Sequence, residues 1–386
     1  MKKIIGFIVF FGILAIAFFA YRAGVFANKI STDANVIGSL GRAISLKKER
    51  LLAGEDQDRI NIVLLGMRGR GDNHGGLLTD TIIVGSYIPS KNGVAMVSIP
   101  RDLAINEAGD RINTVYFSAA RSGDDAAGMR AVQTVLQTVT GQPIHYVVRA
   151  NFDGFEQLVD ALGGIEITRT TPFVEAIQFH EKRVCNPAAG FSVPVRAGSL
   201  DDRYDVKRNE KGKIVAKYPL CYNKNAECGG VFRVGAGTTT LNGAQALCYV
   251  RARYSSSDFD RARRQQQVID AIQQALLSRG TLSDFSKLSA LMDVIGDNIK
   301  TNMQLWEMQR FFSFYTSRGL PKLLAQTVID NGPNGLLYTP EGAGENGAAY
   351  ILRPRGDSYD RIHELFRDIV NQSSDTDDTT TQRDAS

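Results

Sequence analysis

The pattern of apolar and polar positions predicts a buried sheet in the first half of the chain. Mainly apolar runs of strand length occupy residues 60–66, 80–84 and 94–99, and turn-forming residues separate them. Such runs are typical of strands covered on both faces, because an exposed face would bring polar residues at every second position. Further strands are expected at residues 144–148 and 165–167.

Helical periodicity alternates with these strands. Residues 124–140 carry apolar side chains at helical spacing and end before Gly141, a residue type that often follows the last turn of a helix. A second helix is expected to start within residues 151–155 and to stop at Gly163 and Gly164. Strands alternating with helices indicate an α/β fold, and we predict a three-layer αβα sandwich with a central mixed sheet.

The second half of the chain is mainly helical by the same criterion. A helical region is predicted over residues 258–316, with a break near Gly280, and a last helix over residues 360–370. Short edge strands are expected near residues 328–329 and 350–352.

Residues 171–230 follow neither period and are rich in polar residues, proline and glycine, which indicates an inserted, exposed excursion. The excursion holds Cys185, Cys221 and Cys228, and one disulfide among them is expected, with all three pairings open. Cys248 has apolar neighbours and is expected to be a core thiol. Zinc is disfavoured because no fourth ligand lies at a suitable spacing.

An uncharged apolar run at residues 4–21 is long enough for a membrane helix. A cleaved signal peptide has a related pattern, but this run is long for one and no clean polar segment follows it, which favours an uncleaved anchor. The predicted division is a cytoplasmic start at residues 1–3, a transmembrane helix at 4–21, a juxtamembrane stalk at 22–57, an extracytoplasmic domain at 58–370 and a disordered tail at 371–386. A single-pass membrane protein with its N-terminus in the cytoplasm fits this division.

Charge narrows the class of ligand. The 386 residues are 43% hydrophobic, which is ample for a core, and the formal net charge is only +4. Without lysine-rich runs or interleaved aromatic and basic residues, a nucleic-acid partner is not indicated. Five arginines against two aspartates between residues 251 and 264 concentrate positive charge in one short segment. A local polyanionic ligand is therefore expected.

A helix is expected to begin at Ser257 or Asp258, and helical geometry sorts the charged residues that follow. The inward face should consist of Arg261, Arg264, Gln265, Val268, Ile272 and Leu276, whereas Arg263, Gln267 and Asp270 should point away. Inward arginines at a helix N-terminus suit phosphate, because the backbone N–H groups, the helix dipole and the guanidinium groups all favour anions. A solvated charged face is the alternative, and the apolar neighbours on the inward face disfavour it.

Several short blocks resemble, in order, those of the LytR-CpsA-Psr family between residues 58 and 277. They include Ile62-Val63-Leu64-Leu65-Gly66, Thr79-Asp80-Thr81, Ile99-Pro100-Arg101-Asp102, Ile112-Asn113, Asn151-Phe152-Asp153-Gly154-Phe155, Tyr249-Val250-Arg251-Ala252-Arg253-Tyr254 and Asp258-Phe259-Asp260-Arg261. The resemblance implies one membrane helix and an extracytoplasmic α/β domain. It also implies transfer of a glycopolymer, with one phosphate, from an undecaprenyl diphosphate carrier to an acceptor hydroxyl on peptidoglycan.

The same resemblance assigns roles to particular residues. Arg101, Arg251, Arg253 and Arg261 would bind the diphosphate, with Gln265 beside them. Asp80 would be the carboxylate associated with Mg²⁺, and Asp258 would orient the arginines or act as a base, so that Asp80, Arg101 and Asp258 form the expected catalytic set. An arginine cluster with one Mg²⁺ can stabilise the charge that develops on phosphoryl oxygens.

The chain departs from the family pattern at two positions. Members commonly carry an acid where this chain has Arg68, and often an arginine where it has Leu78. Asp72, as a possible metal ligand, and Arg68 or Arg70 could compensate within the same loop.

Two other classes of function would use the same arginines. One is a non-catalytic binder of lipid diphosphate, or a regulatory envelope protein such as a transcriptional attenuator. The other is a polyprenyl diphosphate phosphatase, with water as the acceptor. An acceptor groove beside the diphosphate would distinguish the transferase from both.

Overall fold

The computed structural model describes residues 50–70, 76–175, 178–179, 182–186, 191–194, 204–208, 213–222, 227–253, 255–278, 298–319, 321–345 and 348–371. The predicted membrane helix at residues 4–21, most of the stalk and nearly all of the predicted tail lie outside these residues. Within the described part of the chain, no helix combines the length and the apolarity needed to cross a membrane. The chain divides into two compact units, of which the second spans Leu162–Ser278 and the first comprises the residues on either side of it.

The strands are β1 (Ile60–Met67), β2 (Thr81–Ile88), β3 (Gly93–Ser98), β4 (Tyr146–Asn151), β5 (Ile165–Arg169), β6 (Phe173–Glu175), β7 (Lys182–Asn186), β8 (Phe191–Pro194), β9 (Tyr204–Arg208), β10 (Ile214–Tyr222), β11 (Phe232–Val234), β12 (Gly237–Leu241), β13 (Ile299–Thr301), β14 (Lys322–Val328), β15 (Leu337–Tyr338) and β16 (Arg353–Pro354). The α-helices are α1 (Thr114–Ala120), α2 (Asp125–Thr140), α3 (Phe152–Ala161), α4 (Gly243–Arg251), α5 (Asp258–Ser278), α6 (Leu305–Arg318) and α7 (Asp360–Asp368).

The first unit is built on a six-stranded sheet in the order β13-β4-β1-β2-β3-β14. Strand β1 is parallel to β4, and β3 is parallel to β14, whereas the other neighbours are antiparallel. The predicted α/β fold with a central mixed sheet is therefore confirmed, while the three-layer arrangement stays a prediction. Because β2 is antiparallel to both β1 and β3, the start of β2 and the ends of β1, β3 and β4 lie at the same end of the strands, which is called the sheet edge below.

Apolar packing in the first unit begins before the predicted domain start at residue 58. Leu52 is 1% exposed and belongs to a cluster with Ile60, Tyr87, Tyr146 and Phe314. The backbone N–H of Ala53 donates to the Tyr146 hydroxyl at 3.0 Å, and Glu55 pairs with Arg310 of α6 at 2.6 Å. The end of the predicted stalk is thus fixed to the core of the first unit.

Helix α2 agrees with its sequence signals. Asp124 accepts a hydrogen bond from the Ala127 N–H, which satisfies one of the free donors of the first turn. Gly141 ends the helix with φ at 63°, and a β-carbon there would lie 2.7 Å from the His363 ring. Glycine is required at this position by both conformation and space.

The predicted helical region over residues 258–316 is wrong in its middle. Strand β13 lies between α5 and α6 in the sequence, and it pairs antiparallel with β4 as an outermost strand of the sheet. The edge of β4 offers unpaired backbone groups, and pairing with them outweighs the local preference of Ile299–Thr301. The strand predicted near residues 328–329 is confirmed as the end of β14. That at residues 350–352 is wrong, because Leu352 forms only an isolated bridge with Leu103 and the strand β16 follows it.

The second unit contains two helices and several small sheets. Strand β5 pairs with β12, and β6 pairs with β11, both antiparallel. The excursion predicted at residues 171–230 contains an antiparallel sheet in the order β8-β7-β10-β9. Helix α4 starts with a capping box, in which Asn242 and Gln245 each accept a hydrogen bond from the other's backbone N–H.

Cys248 is not a free core thiol, and that prediction is wrong. It forms a disulfide with Cys228, with the two Cα atoms 5.9 Å apart. The prediction failed because a buried, apolar environment suits half of a disulfide as well as it suits a thiol. The bond attaches the end of the excursion to α4, the helix that ends at Arg251.

Candidate functional site

Asp80 and Arg101 meet at the sheet edge where β1 and β4 end. Asp80 immediately precedes β2, and Arg101 lies shortly after the end of β3 at Ser98. The Arg101 Nη1 lies 2.5 Å from the Asp80 Oδ1. The two predicted residues from distant parts of the sequence are thus brought into contact, as a short, charge-assisted pair.

The ion pair continues into two residues that the sequence interpretation did not assign. The Asp102 carboxylate lies 3.5 Å from the Arg101 Nε and accepts a hydrogen bond from the Arg111 Nη1 at 3.0 Å. Asp102 is 7% exposed, so these contacts replace water around its charge. Asp102 adjoins Arg101 in the sequence and could have been identified, whereas only the fold brings Arg111 to it.

Asn113 connects the backbones of the two strand ends. Its carbonyl accepts from the Thr79 N–H at 3.1 Å, and its N–H donates to the Arg101 carbonyl at 3.2 Å. The residue before Asp80 is therefore linked, through one buried asparagine, to Arg101. These bonds fix the separation of the aspartate and the arginine.

The loop after β1 carries Arg68 and Arg70, and Arg70 is engaged in structural contacts. Its guanidinium donates to Asp125 at 2.9 Å and to the Ala120 carbonyl at 3.3 Å. The Arg68 guanidinium lies 5.8 Å from the centre of the Phe152 ring. Asp72, the possible second metal ligand, lies outside the described residues.

Asp125 is the centre of a second, more buried network at this edge. Arg149, at the end of β4, donates to its Oδ2 at 3.0 Å, and the Tyr116 hydroxyl donates to its Oδ1 at 2.6 Å. Burial would raise the pKa of Asp125, but the bonds from Tyr116, Arg149 and Arg70 outweigh it and hold the pKa below its usual value. Burial raises the pKa of Tyr116. Asp125 thus links Arg70, in the loop after β1, to Tyr116 of α1 and Arg149 of β4.

In the second unit, Asp258 brings two of the predicted arginines together. The Arg261 Nη2 lies 2.9 Å from its carboxylate, and the Arg253 Nη1 lies at 4.0 Å. The Arg261 side chain is 8% exposed, whereas that of Arg253 is 35% exposed. Of the two roles predicted for Asp258, this geometry suits the orientation of the arginines.

The helix start that carries Asp258 agrees with the sequence prediction. Ser257 and Asp260 form reciprocal bonds: the Asp260 N–H donates to the Ser257 Oγ at 3.0 Å, and the Ser257 N–H donates to the Asp260 carboxylate at 3.0 Å. Arg263 is exposed and pairs with Asp260 at 2.7 Å, as its predicted outward direction requires.

Arg251 and Gln265 lie at the end of α4. Arg251 is the last residue of that helix, and its guanidinium carbon lies 5.9 Å from the centre of the Phe179 ring. The Gln265 side chain donates a long hydrogen bond, 3.4 Å, to the Val250 carbonyl. Both predicted residues therefore lie beside the turn that leads to Arg253.

Arg264 lies at the centre of the buried face of α5. Its guanidinium donates to the Tyr249 carbonyl at 3.0 Å, to the Ala252 carbonyl and to Ser256 at 3.2 Å. It also stacks 4.5 Å from the centre of the Phe173 ring, and burial lowers its pKa to about 10. Arg264 thus caps the carbonyl end of α4.

The inward face of α5 is rotated from the predicted one. Its buried residues are Arg261, Arg264, Val268, Ala271 and Ala275, and Gln266 is also buried on another side of the helix. Gln267 does not point away, because it accepts from the Tyr249 hydroxyl and donates to the Thr168 carbonyl. Asp270 is half-buried. The two alanines allow the close packing of this face, and alanine is a weak apolar signal in a sequence.

The predicted residues thus form one group in each unit, with Asp80 and Arg101 in the first and Asp258, Arg253, Arg261, Arg251 and Gln265 in the second. Among the described residues, no group of three or more His, Cys, Asp or Glu side chains could hold a metal ion. Of the two carboxylates that the sequence analysis named as metal ligands, Asp80 lies within the described residues and Asp72 does not.

Arginines held in place by aspartates suit the binding of phosphate groups, and the mixed α/β fold is compatible with many classes of enzyme. The chain belongs to the LytR_cpsA_psr family, whose sequence model matches residues 26–339. The predicted family is therefore confirmed.

Two relatives and one solved structure illustrate the similarity. The polyisoprenyl-teichoic acid–peptidoglycan teichoic acid transferase TagT of Bacillus subtilis is 28% identical over 341 residues, 88% of each chain. A TagU transferase of the same description from Halalkalibacterium halodurans is 26% identical and covers 92% of this chain and 94% of its own. The structure described as TagT bound to LI-WTA has a TM-score of 0.52 at 22% identity, covering 85% of this chain and 96% of the other, which supports the fold. The prediction of a transferase agrees with the names of these relatives.

Proposed function

We propose that this chain transfers a glycopolymer, together with one phosphate, from an undecaprenyl diphosphate carrier to a hydroxyl of peptidoglycan. The observation that carries the proposal is the pairing of arginines with aspartates at Asp80–Arg101 and at Asp258–Arg261. Relatives named for transfer from a polyisoprenyl carrier to peptidoglycan support the same donor and acceptor classes. Arginine suits a diphosphate because its planar guanidinium can donate two parallel hydrogen bonds to one phosphate.

The reaction requires one bond to form and one to break. The acceptor hydroxyl oxygen attacks the sugar-linked phosphorus, and the bond from that phosphorus to the bridging oxygen breaks. The lipid leaves as a monophosphate, and the hydroxyl proton passes to a base. Negative charge builds up on the phosphoryl oxygens during the step, and fixed arginines stabilise it without a covalent intermediate.

The proposed roles follow from the surroundings of each side chain. Arg101, Arg251, Arg253 and Arg261 bind the diphosphate oxygens, and Gln265 donates beside them. Asp258 holds Arg261 and Arg253 in position, as its distances of 2.9 and 4.0 Å suggest. A side chain that is already paired loses little conformational freedom when the ligand arrives, so the affinity is greater.

Mg²⁺ is the proposed cofactor, with Asp80 as its protein ligand and Asp72 as a second candidate. Mg²⁺ is commonly held by one or two carboxylates together with substrate phosphates and water, so a single carboxylate beside a diphosphate fits this ion. When bound, the ion would neutralise charge on the phosphate oxygens. Arg101 lies against Asp80 and would orient its carboxylate.

The proposed location is the outer side of a bacterial cell membrane, with the domain anchored by the helix predicted at residues 4–21. The Cys228–Cys248 disulfide supports this location, because such bonds persist in oxidising compartments and are rare in the cytoplasm. A three-layer arrangement around the central sheet is part of the same proposal.

The test uses the full chain in detergent with a lipid-diphosphate-linked oligosaccharide labelled in its sugar. We expect labelled sugar phosphate to appear on added peptidoglycan fragments, together with lipid monophosphate, and Arg253→Ala to abolish the transfer. Release of sugar phosphate to water, with or without fragments, would instead indicate a diphosphatase. Tight binding without turnover would indicate a binding or regulatory protein.

A further inference from the structure

Arg251 is the last residue of α4, and Arg253 lies two residues beyond it, where the chain has left the helix. Helix α5 begins only at Asp258, so Arg253 lies on backbone outside both helices. Side chains that bind diphosphate must nevertheless be held closely, because a displacement of about 1 Å can cost about 100-fold in rate. Another part of the chain must therefore fix this backbone.

Gln178, within the predicted excursion, bonds to the turn on both sides of Ala252. Its Nε2 donates to the Arg251 carbonyl at 2.9 Å, and its Oε1 accepts from the Arg253 N–H at 2.7 Å. One amide side chain thus satisfies an acceptor and a donor two residues apart, as a neighbouring strand would. Both bonds are made to the backbones of residues that we assign to the diphosphate.

Glu175 adds hydrogen bonds to Ser255, two residues after Arg253, and it also holds the backbone of Gln178. Its carboxylate accepts from the Ser255 N–H at 2.9 Å, from the Ser255 hydroxyl at 2.8 Å and from the Gln178 N–H at 3.0 Å. Glu175 is fully buried, so these hydrogen bonds offset the cost of removing its charge from water. The side chains of Glu175 and Gln178 together hold the backbone at Arg251, Arg253 and Ser255.

Phe179 packs beside the Arg251 side chain. It is 1% exposed, and its ring lies 5.9 Å from the Arg251 guanidinium carbon and 6.5 Å from the Phe232 ring. The strand pair β6–β11 places Glu175 opposite Phe232. The start of the excursion is therefore packed against the chain at Arg251 and Arg253.

We infer that Gln178 is a positioning residue for Arg251 and Arg253, and that the start of the excursion exists to hold the diphosphate arginines in place. This inference rests on the proposed function, since it assigns a role in binding the same ligand. Gln178 itself does not contact the diphosphate; it sets the positions from which the two guanidinium groups reach it.

The experiment measures binding of farnesyl diphosphate to the full chain in detergent by calorimetry. Gln178→Met keeps the volume of the side chain and removes both hydrogen bonds to the backbone of Arg251 and Arg253. We expect its dissociation constant to rise about 10-fold or more, and that of Gln178→Asn, which is shorter but keeps both polar groups, to rise less. The control is Gln274→Ala, an exposed glutamine of α5, which should bind like the wild type.

A double-mutant cycle with Arg253→Ala separates positioning from general destabilisation. If Gln178 acts through the arginines, its replacement should weaken binding several-fold less in the Arg253→Ala chain than in the wild type. An equal loss in both chains, or unchanged affinity in a folded Gln178→Met chain, would overturn the inference while leaving the proposed function intact. A wild-type chain that does not bind farnesyl diphosphate would overturn both.

Discussion

Arg261, Arg263 and Arg264 lie within one turn of α5 and have three different surroundings. Arg261 is buried beside Asp258, Arg263 is exposed beside Asp260, and Arg264 is buried against carbonyl groups at the end of α4. Type of residue and net charge do not distinguish them. Their functions follow from the direction in which each side chain leaves the helix.

Arg261→Ala should reduce turnover about 100-fold or more, because it removes a fixed positive charge that we assign to the phosphoryl oxygens. Arg263→Ala should leave turnover within about twofold of wild type, since exposed ion pairs contribute little. The rate of transfer to peptidoglycan fragments measures both. Equal damage by the two substitutions would contradict the assignment of Arg261.

The sequence was sufficient to separate Arg261 from Arg263 but not to interpret Arg264. At 100° per residue, helical geometry alone directs Arg261 inward and Arg263 outward. The acceptors of Arg264 are the carbonyls of Tyr249 and Ala252, which belong to another helix end. Their position depends on how α4 and α5 pack, and no local pattern encodes it.

Asp270 gives a pH-dependent prediction at the same scale. Burial raises its pKa to about 6, compared with about 3.9 in an unfolded chain. Between pH 4 and pH 6 the folded chain therefore binds a proton that the unfolded chain does not, and its stability falls as the pH rises through this range. The loss is complete only about one pH unit above this pKa.

Asp270→Asn removes this titration and should raise the free energy of unfolding at pH 8 by about 1–2 kcal/mol, allowing for partial solvent access. The gain should shrink toward zero at pH 4. Urea unfolding at the two pH values measures it, with the exposed Glu341→Gln as the control. A gain of the same size at both pH values would show that burial of the charge is not the cause.

At the scale of elements, local patterns predicted the strands and helices around the sheet edge, and failed where pairing partners are distant. Strands β1 to β4 come from continuous apolar runs and helix α2 from helical periodicity, and each overlaps its predicted range. Strand β13 is three residues long and exists because the edge of β4 is open to it. The sheet within the excursion is likewise a set of nonlocal pairings.

The Cys228–Cys248 disulfide belongs to this scale because it attaches the excursion to α4. It closes a loop with a sequence separation of 20, and a loop of that size contributes about 3 kcal/mol in the chain-entropy model. The double variant Cys228→Ala/Cys248→Ala should lose about that much stability in urea unfolding. Stability equal to wild type would mean that α4 is held without the bond.

At the scale of the whole molecule, the candidate residues form one group in each unit, and the sequence patterns named the residues of both groups but not the residues that hold them in place. The arginines and aspartates appear in recognisable blocks, so their types and order were informative. Glu175, Gln178 and Asn113 act through backbone hydrogen bonds, and many polar residues in loops have the same local appearance. Only the folded chain distinguishes these supporting residues from solvated ones.

The proposed metal gives a prediction for the complete protein. Chelation with EDTA should lower the transfer rate at least 10-fold, and added Mg²⁺ should restore it, because the ion neutralises charge on the phosphates. Asp80→Asn should show a similar loss in the presence of Mg²⁺, with little further effect of EDTA. A strong effect of EDTA on Asp80→Asn would place the ion on other ligands.

The Cys228–Cys248 bond also has a consequence for the order of maturation. Under the proposed location, a newly synthesised chain crosses the membrane with both thiols reduced, and the bond forms only afterwards. The helix that ends at Arg251 therefore receives its last covalent constraint outside the cell. Under the proposed location, the helix that leads to the proposed diphosphate arginines would thus receive this bond on the same side of the membrane as the lipid-linked substrate.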